Sequence, residues 1–323
     1  MPDDGASMVV RSTAVKAKTC MSTGDRPFWE VGSAAVIESS LYNLHRVLML
    51  IGSGSRLFFA VLRRSVSLIL IAFVALSGCV LTRASAAERE IYVAAAADLS
   101  VALQEVAADF EKRSGIKVQM SFGASGALTQ QIQNGAPFDI FFSADMDYPR
   151  QLIASGQADG STLYRYAVGQ LVLWVPKHSP LDVEHKGMDV LLDPSVKKIA
   201  IANPQHAPYG RAAAAALKHY GLYEKVAGRL VLGENISQAA QFVESGNAQV
   251  GFVALAHAVA PAMQGKGNFW KIPANAYPSL DQGVVILKSS AHHDDAAAFL
   301  QYIKAAEVAE LLRRYGFSLP EQK

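Results

Sequence analysis

The chain has 323 residues, 51% of them hydrophobic and 18% charged, with 24 glycines and 13 prolines. That balance excludes a collagen-like repeat, a coiled coil and a disordered tail protein, and leaves room for one or two globular domains. The formal charge of +2 is unevenly spread: residues 1–87 hold nine Lys/Arg against five Asp/Glu, and the rest holds 21 against 23, which speaks against a basic nucleic-acid surface.

Residues 1–48 show no periodicity and fit an over-long gene start or an unstructured extension. Arg63-Arg64 then precedes the apolar run from Ser65 to Leu81, which ends near Ala84-Ser85-Ala86-Ala87. A positive segment, a short apolar stretch and an A-x-A site predict a signal peptide over about residues 56–87, cleaved near Ala86/Ala87, and hence a periplasmic protein. Leu76-Ser77-Gly78-Cys79 resembles a lipoprotein box, so a lipid anchor on Cys79 stays open as the alternative. Cys20 and Cys79 are the two cysteines of the chain; the body beyond the leader has neither a disulfide nor a thiolate metal site to form.

In the body, Glu90–Ala96 reads as a strand, and Leu99, Leu103, Val106 and Phe110 form a helical stripe that Ser114-Gly115 stops. Ile116–Phe122 alternates as a strand. Gly123-Ala124-Ser125-Gly126 opens a second helix, and Phe138–Ser143 is the next strand. A long apolar strand is expected over Ala167–Pro176. Next come a strand at Lys198–Ala202, helices at Tyr209–Tyr220 and Ser237–Glu244, and a strand at Val250–Val253. A strand at Gln282–Lys288 and one final helix from Asp294 to Tyr315 complete the pattern. Strands alternating with helices predict an α/β fold with parallel-rich sheets. Two such series imply a two-lobed clamshell, residues 88–168 plus 286–323 forming one lobe and 169–285 the other, with a hinge crossed twice.

Four strand-to-helix turns stand out, at 96–99, 123–126, 206–210 and 234–237. The first turn of a helix leaves backbone N–H groups without internal acceptors, and the macrodipole adds positive potential there. Several such ends aimed at one point make an anion site without Lys or Arg. Each Ser, Asp or Asn at these turns also fits a simple helix cap; the pattern gains meaning from recurring four times in two lobes. His292-His293-Asp294-Asp295 reads as a solvated helix start rather than a metal site. No nucleophile-elbow, zinc-hydrolase or phosphate-loop motif occurs, and a general base at Asp98 beside Ser125 lacks a placed histidine, so no enzyme is expected.

The stretches AAAADL (94–99), FGASGAL (122–128), GAPFDIFFSAD (135–145), YAVGQLVLW (166–174), ANPQHAPYGRAA (202–213) and GFVALA (251–256) resemble the periplasmic molybdate-binding protein family. The resemblance implies a type II periplasmic binding fold that holds molybdate or tungstate in the interlobe cleft. It further implies a monomer without cofactor, delivering its cargo to an ABC permease of the inner membrane with a cytoplasmic ATPase. The same fold holding another oxyanion such as sulfate is the alternative. Carried over residue by residue, the family's binding positions fall on Ala97, Asp98, Ser125, Tyr209 and Ile236, the last two through their main chain. Arg211 and His206 stand as supporting residues, and a tyrosine of some branches is replaced by Ala254. Asp98 is the departure: its carboxylate either caps the turn and offers the ligand only its N–H, pairs with Arg211, or signals a different ligand.

Overall fold

The computed structural model describes residues 89–320, together with positions 63, 66 and 67 of the leader. The cleavage site, the lipoprotein-like box and both cysteines lie outside the described residues, and no helix among the described residues is long and apolar enough to cross a membrane. Among the described residues, ten strands form two five-stranded sheets. The first contains β1 (Glu90–Ala96), β2 (Lys117–Gly123), β3 (Ile140–Ser143) and β4 (Tyr164–Gly169). The second contains β5 (Leu171–Pro176), β6 (Ile199–Ala202), β7 (Leu230–Gly233), β8 (Val250–Ala254) and β9 (Gly267–Lys271), and β10 (Leu280–Ile286) returns to the first. Strand orders are β2-β1-β3-β10-β4 and β7-β6-β8-β5-β9. The three leading strands of each sheet run parallel, whereas β10 is antiparallel to β3 and β4, and β5 to β8 and β9. Both sheets are therefore mixed, and helices flank each.

Seven helices matter to the architecture: α1 (Ala102–Ser114), α2 (Ser125–Gln133), α3 (Asp147–Ala154), α4 (Pro208–His219), α5 (Ile236–Glu244), α6 (His293–Ile303) and α7 (Ala306–Arg314). The stripe Leu103, Val106 and Phe110 buries α1 against the first sheet, and Gly115, at φ 70°, supplies the left-handed residue that ends it. Phe110 meets Phe299 of α6 at a ring-centroid distance of 4.9 Å, and Phe299 meets Phe142 of β3 at 5.9 Å. Trp174, Phe252 and the alanine face of α4 fill the second core.

The fold departs from the sequence-based expectation at three points. The apolar run 167–176 is two strands, β4 in the first sheet and β5 in the second, with Gln170 alone between them. Hydrophobicity cannot mark this break, because both halves are buried. Gly169 stands at the break because a side chain there would collide with Tyr209 and Gln282 in the folded chain. Secondly, β10 starts at Leu280 and pairs with β3 and β4, so residues 280–285, expected in the second lobe, belong to the first sheet. Thirdly, the final helix is broken at Ala305, which is extended at φ −68°, ψ 147°. The break lets Phe299 and Ile303 of α6 and Val308 and Leu312 of α7 reach one core.

Candidate functional site

Parallel strands deliver their carboxyl ends to the same edge, and here the edges of the two sheets face each other. After β1 comes a single 3-10 turn, Ala97–Leu99; α2 follows β2, α4 follows β6 and α5 follows β7. These starts enclose a small cavity between the two sheet edges. Its walls are Ala96–Asp98 and Gly123–Ser125 with Ala144 from the first lobe, and Ala207–Tyr209 with Asn235 and Ile236 from the second.

The helix ends that meet there are unusually bare. Alanine occupies the N-cap of both α2 (Ala124) and α4 (Ala207), and neither end has a side-chain cap. Only α5 is capped, by Asn235, which accepts from the Gln238 N–H at 3.1 Å. An N-cap oxygen normally satisfies an orphan first-turn N–H, and a buried helix end without one calls for another acceptor. Ser125, 1% exposed, is not such a cap: its Oγ accepts from the Ala144 N–H at 3.0 Å. That bond leaves its hydroxyl hydrogen free to donate into the cavity. No Lys or Arg lines the space, and Asp98 is the one ionisable carboxyl that does. The arrangement is a set of donors and dipoles suited to a compact oxyanion.

Asp98 fulfils neither structural role expected of it. The turn it lies in starts at Ala97, with Ala96 at the N-cap and no side-chain cap, and Arg211 pairs with Asp145 instead, at 2.5 Å. The Asp98 carboxyl is 1% exposed. Its Oδ2 accepts from the Gln282 side-chain amide of β10, and its Oδ1 has no hydrogen-bond partner. Tyr166 of β4 donates to Gln282 Oε1 at 2.7 Å and so orients the amide. Next to Gln282 the β10–β4 pairing shifts register, a local irregularity of the kind that re-aims a side chain. Burial pushes the Asp98 carboxyl up to about 6, against the opposing pull of the Gln282 amide and the weaker pulls of the nearby Tyr209 hydroxyl and the residue's own N–H, of which only the amide forms a hydrogen bond to it.

Across the cleft the lobes are joined by polar contacts. The Gly126 N–H donates to the His206 carbonyl at 2.8 Å. Position 126 must be glycine, because a Cβ would stand 2.8 Å from that carbonyl oxygen. The Ala97 carbonyl accepts from Ser237 Oγ at 3.0 Å and lies 3.1 Å from His257 Nε2. A carbonyl only accepts, so Nε2 carries the hydrogen and Nδ1, buried without a partner, carries the lone pair. Burial pushes the His257 ring down to about 4, so it is neutral at neutral pH. Arg211 also donates to Tyr148 Oη at 3.2 Å and lies 5.3 Å over that ring. Burial raises the Asp145 carboxyl despite Arg211.

Of the residues singled out from sequence, Ala97, Asp98, Ser125, Tyr209 and Ile236 line the cavity together. Arg211 and His206 do not line it, and act in the contacts that join the lobes. Ala254, fully buried at the start of the short helix Leu255–Ala258, is also outside the lining. His292 pairs with Asp139 at 3.2 Å. Sequence reasoning missed Gln282, His257, Asp145 and Tyr148 as interlobe residues, and marked Ser237 only as part of the fourth turn. A polar Gln282 opening the apolar run GVVIL was the one local signal for them.

Residues 91–318 match the bacterial extracellular solute-binding protein family. The molybdate-binding protein ModA of Azotobacter vinelandii is 39% identical over 75% of this chain and 95% of its own. ModA of Rhodobacter capsulatus is 38% identical over 72% and 89%. The solved periplasmic molybdate-binding protein of A. vinelandii superposes with a TM-score of 0.68, covering 72% of this chain and all of that one at 38% identity. The protein thus belongs to the bacterial extracellular solute-binding proteins, in the family of the molybdate-binding proteins.

Proposed function

We propose that the protein is exported, captures molybdate in the cleft between its lobes and hands it to an ABC importer. The observation that carries this reading is the pair of alanine-capped helix ends, α2 and α4, buried at a cavity with no cation in its lining. The N–H groups of Asp98, Ser125, Tyr209 and Ile236 and the Ser125 hydroxyl hold the ligand oxygens; no residue ligates the metal. Donors fixed in a water-poor space gain strength, since the local dielectric is low and nothing must reorganise. Gly126, Ser237, His257 and Arg211 join the lobes over the bound ion. The closed form is what a permease with its cytoplasmic ATPase recognises, so a ligand that stabilises closure also licenses delivery.

Selection among tetrahedral dianions rests on size. Donors placed for a large ion stand too far from sulfate to close good hydrogen bonds, whereas tungstate matches molybdate. Titration of the purified protein with molybdate, tungstate, sulfate and phosphate, followed by tryptophan fluorescence, tests this. Saturation by the first two with no response to the others is expected; sulfate binding as tight as molybdate overturns it. Export with cleavage near Ala86/Ala87 is checked by N-terminal sequencing of the protein recovered from the periplasm.

A further inference from the structure

Resting on the molybdate reading, we propose that Asp98 is itself a ligand contact and that it makes capture proton-coupled, one proton being held between Asp98 Oδ1 and an oxygen of the bound anion. The geometry distinguishes the two carboxyl oxygens. Oδ2 is taken by the Gln282 amide, whose orientation Tyr166 fixes from behind. Oδ1 is buried, has no partner, and belongs to a residue of the cavity wall. A buried carboxylate oxygen left without a donor is costly, and a dianion brought beside it adds like-charge repulsion. A proton on that oxygen removes both penalties and turns a repulsive contact into a donor.

No neighbouring charge provides another escape. Tyr166 from β4 and Tyr209 from α4 are buried phenols whose ionisation is pushed well above the ordinary range, so they stay neutral. His257, from the short helix Leu255–Ala258, is held neutral against the Ala97 carbonyl. Gln282 from β10 and Ser125 from α2 carry no charge. Arg211 of α4 is engaged by Asp145, outside the cavity lining. The proton comes from solvent, and the only bond formed is O–H. Whether it resides nearer Asp98 or nearer the anion, the complex contains one proton more than the separated carboxylate and dianion.

Affinity should therefore be nearly constant below the pH at which the free carboxyl ionises, about 6, and fall about tenfold per pH unit above it. The test is calorimetric titration of the whole protein with sodium molybdate at pH 7.5, in two buffers of different ionisation enthalpy, with affinities from pH 6.5 to 8.5. Uptake close to one proton is expected for the wild type. Asp98→Asn, which keeps a donor without a titratable proton, should bind with neither uptake nor pH dependence. Wild-type uptake near zero overturns the proposal, and so does undiminished uptake in Asp98→Asn. The wild-type measurement decides on its own if the variant does not fold. A wild-type protein that binds no molybdate at any of these pH values removes the underlying reading, and this proposal with it.

Discussion

Replacing Ser125 by Ala separates the two tasks of one hydroxyl. Its oxygen accepts the Ala144 N–H at 3.0 Å, and Ala144 is 2% exposed, so the variant buries a donor without a partner, at a cost of about 1–3 kcal/mol. Its hydrogen donates to an ionised ligand oxygen, a bond worth about 1.5–3 kcal/mol, equivalent to a loss of about 10- to 150-fold in molybdate affinity. Urea unfolding of the ligand-free protein reads the first loss and calorimetric titration the second. Thr129→Val is the control: its hydroxyl donates to the Ser125 carbonyl at 2.8 Å, one turn further along α2, and Thr129 is not part of the cavity wall. That variant should lose stability and keep its affinity. If Ser125→Ala loses stability but binds molybdate within threefold of the wild type, the hydroxyl serves only the fold and the donor assignment fails.

Three further outcomes are expected. Ala124→Asp supplies the missing cap of α2, so urea unfolding should show the ligand-free protein stabilised by about 1 kcal/mol while calorimetry shows molybdate binding abolished; binding within tenfold of wild type would contradict this. Gly126→Ala sets a Cβ 2.8 Å from the His206 carbonyl, so closure should be strained by about 1–3 kcal/mol, seen as faster molybdate release in stopped-flow fluorescence. The ligand-free pH profile is the last. Between about pH 4 and 6.5 the unfolded chain protonates a histidine that native His257 keeps neutral, so acidification destabilises. Native Asp98 holds its proton up to about pH 6, where an unfolded aspartate has lost it, so raising the pH destabilises. The two effects oppose each other, each about 3 kcal/mol at most. Compared with the wild type, His257→Gln should therefore lose stability, measured by urea unfolding, as pH rises from 4 to 6, and Asp98→Asn should gain it. Parallel profiles for all three proteins would refute the assignment.

Much of this architecture is legible in the chain because it is local. Alternation in Ile116–Phe122 and the stripe Leu99–Phe110 report burial directly, and the four strand-to-helix turns identify the cavity walls by their small residues. What escapes is set by contacts between residues far apart in sequence. The junction at Gln170 is hidden because the strands on either side are equally apolar, and Gly169 is explained only once Tyr209 and Gln282 pack over it. Asp98 could not be placed because its partner, Gln282, is 184 residues away. Arg211 finds Asp145 rather than Asp98 for the same reason: closure of the lobes, not sequence proximity, decides which carboxyl it meets.

Five alanines stand in the cavity wall, at 96, 97, 124, 144 and 207. Alanine carries the smallest side chain of any chiral residue, and each of these positions is one substitution from something bulkier or more polar. A lineage seeking a smaller guest would have no need to rebuild the scaffold: a few added hydroxyl or thiol groups would shrink the chamber from within. The same economy makes the chamber vulnerable, since drift at any of the five narrows it.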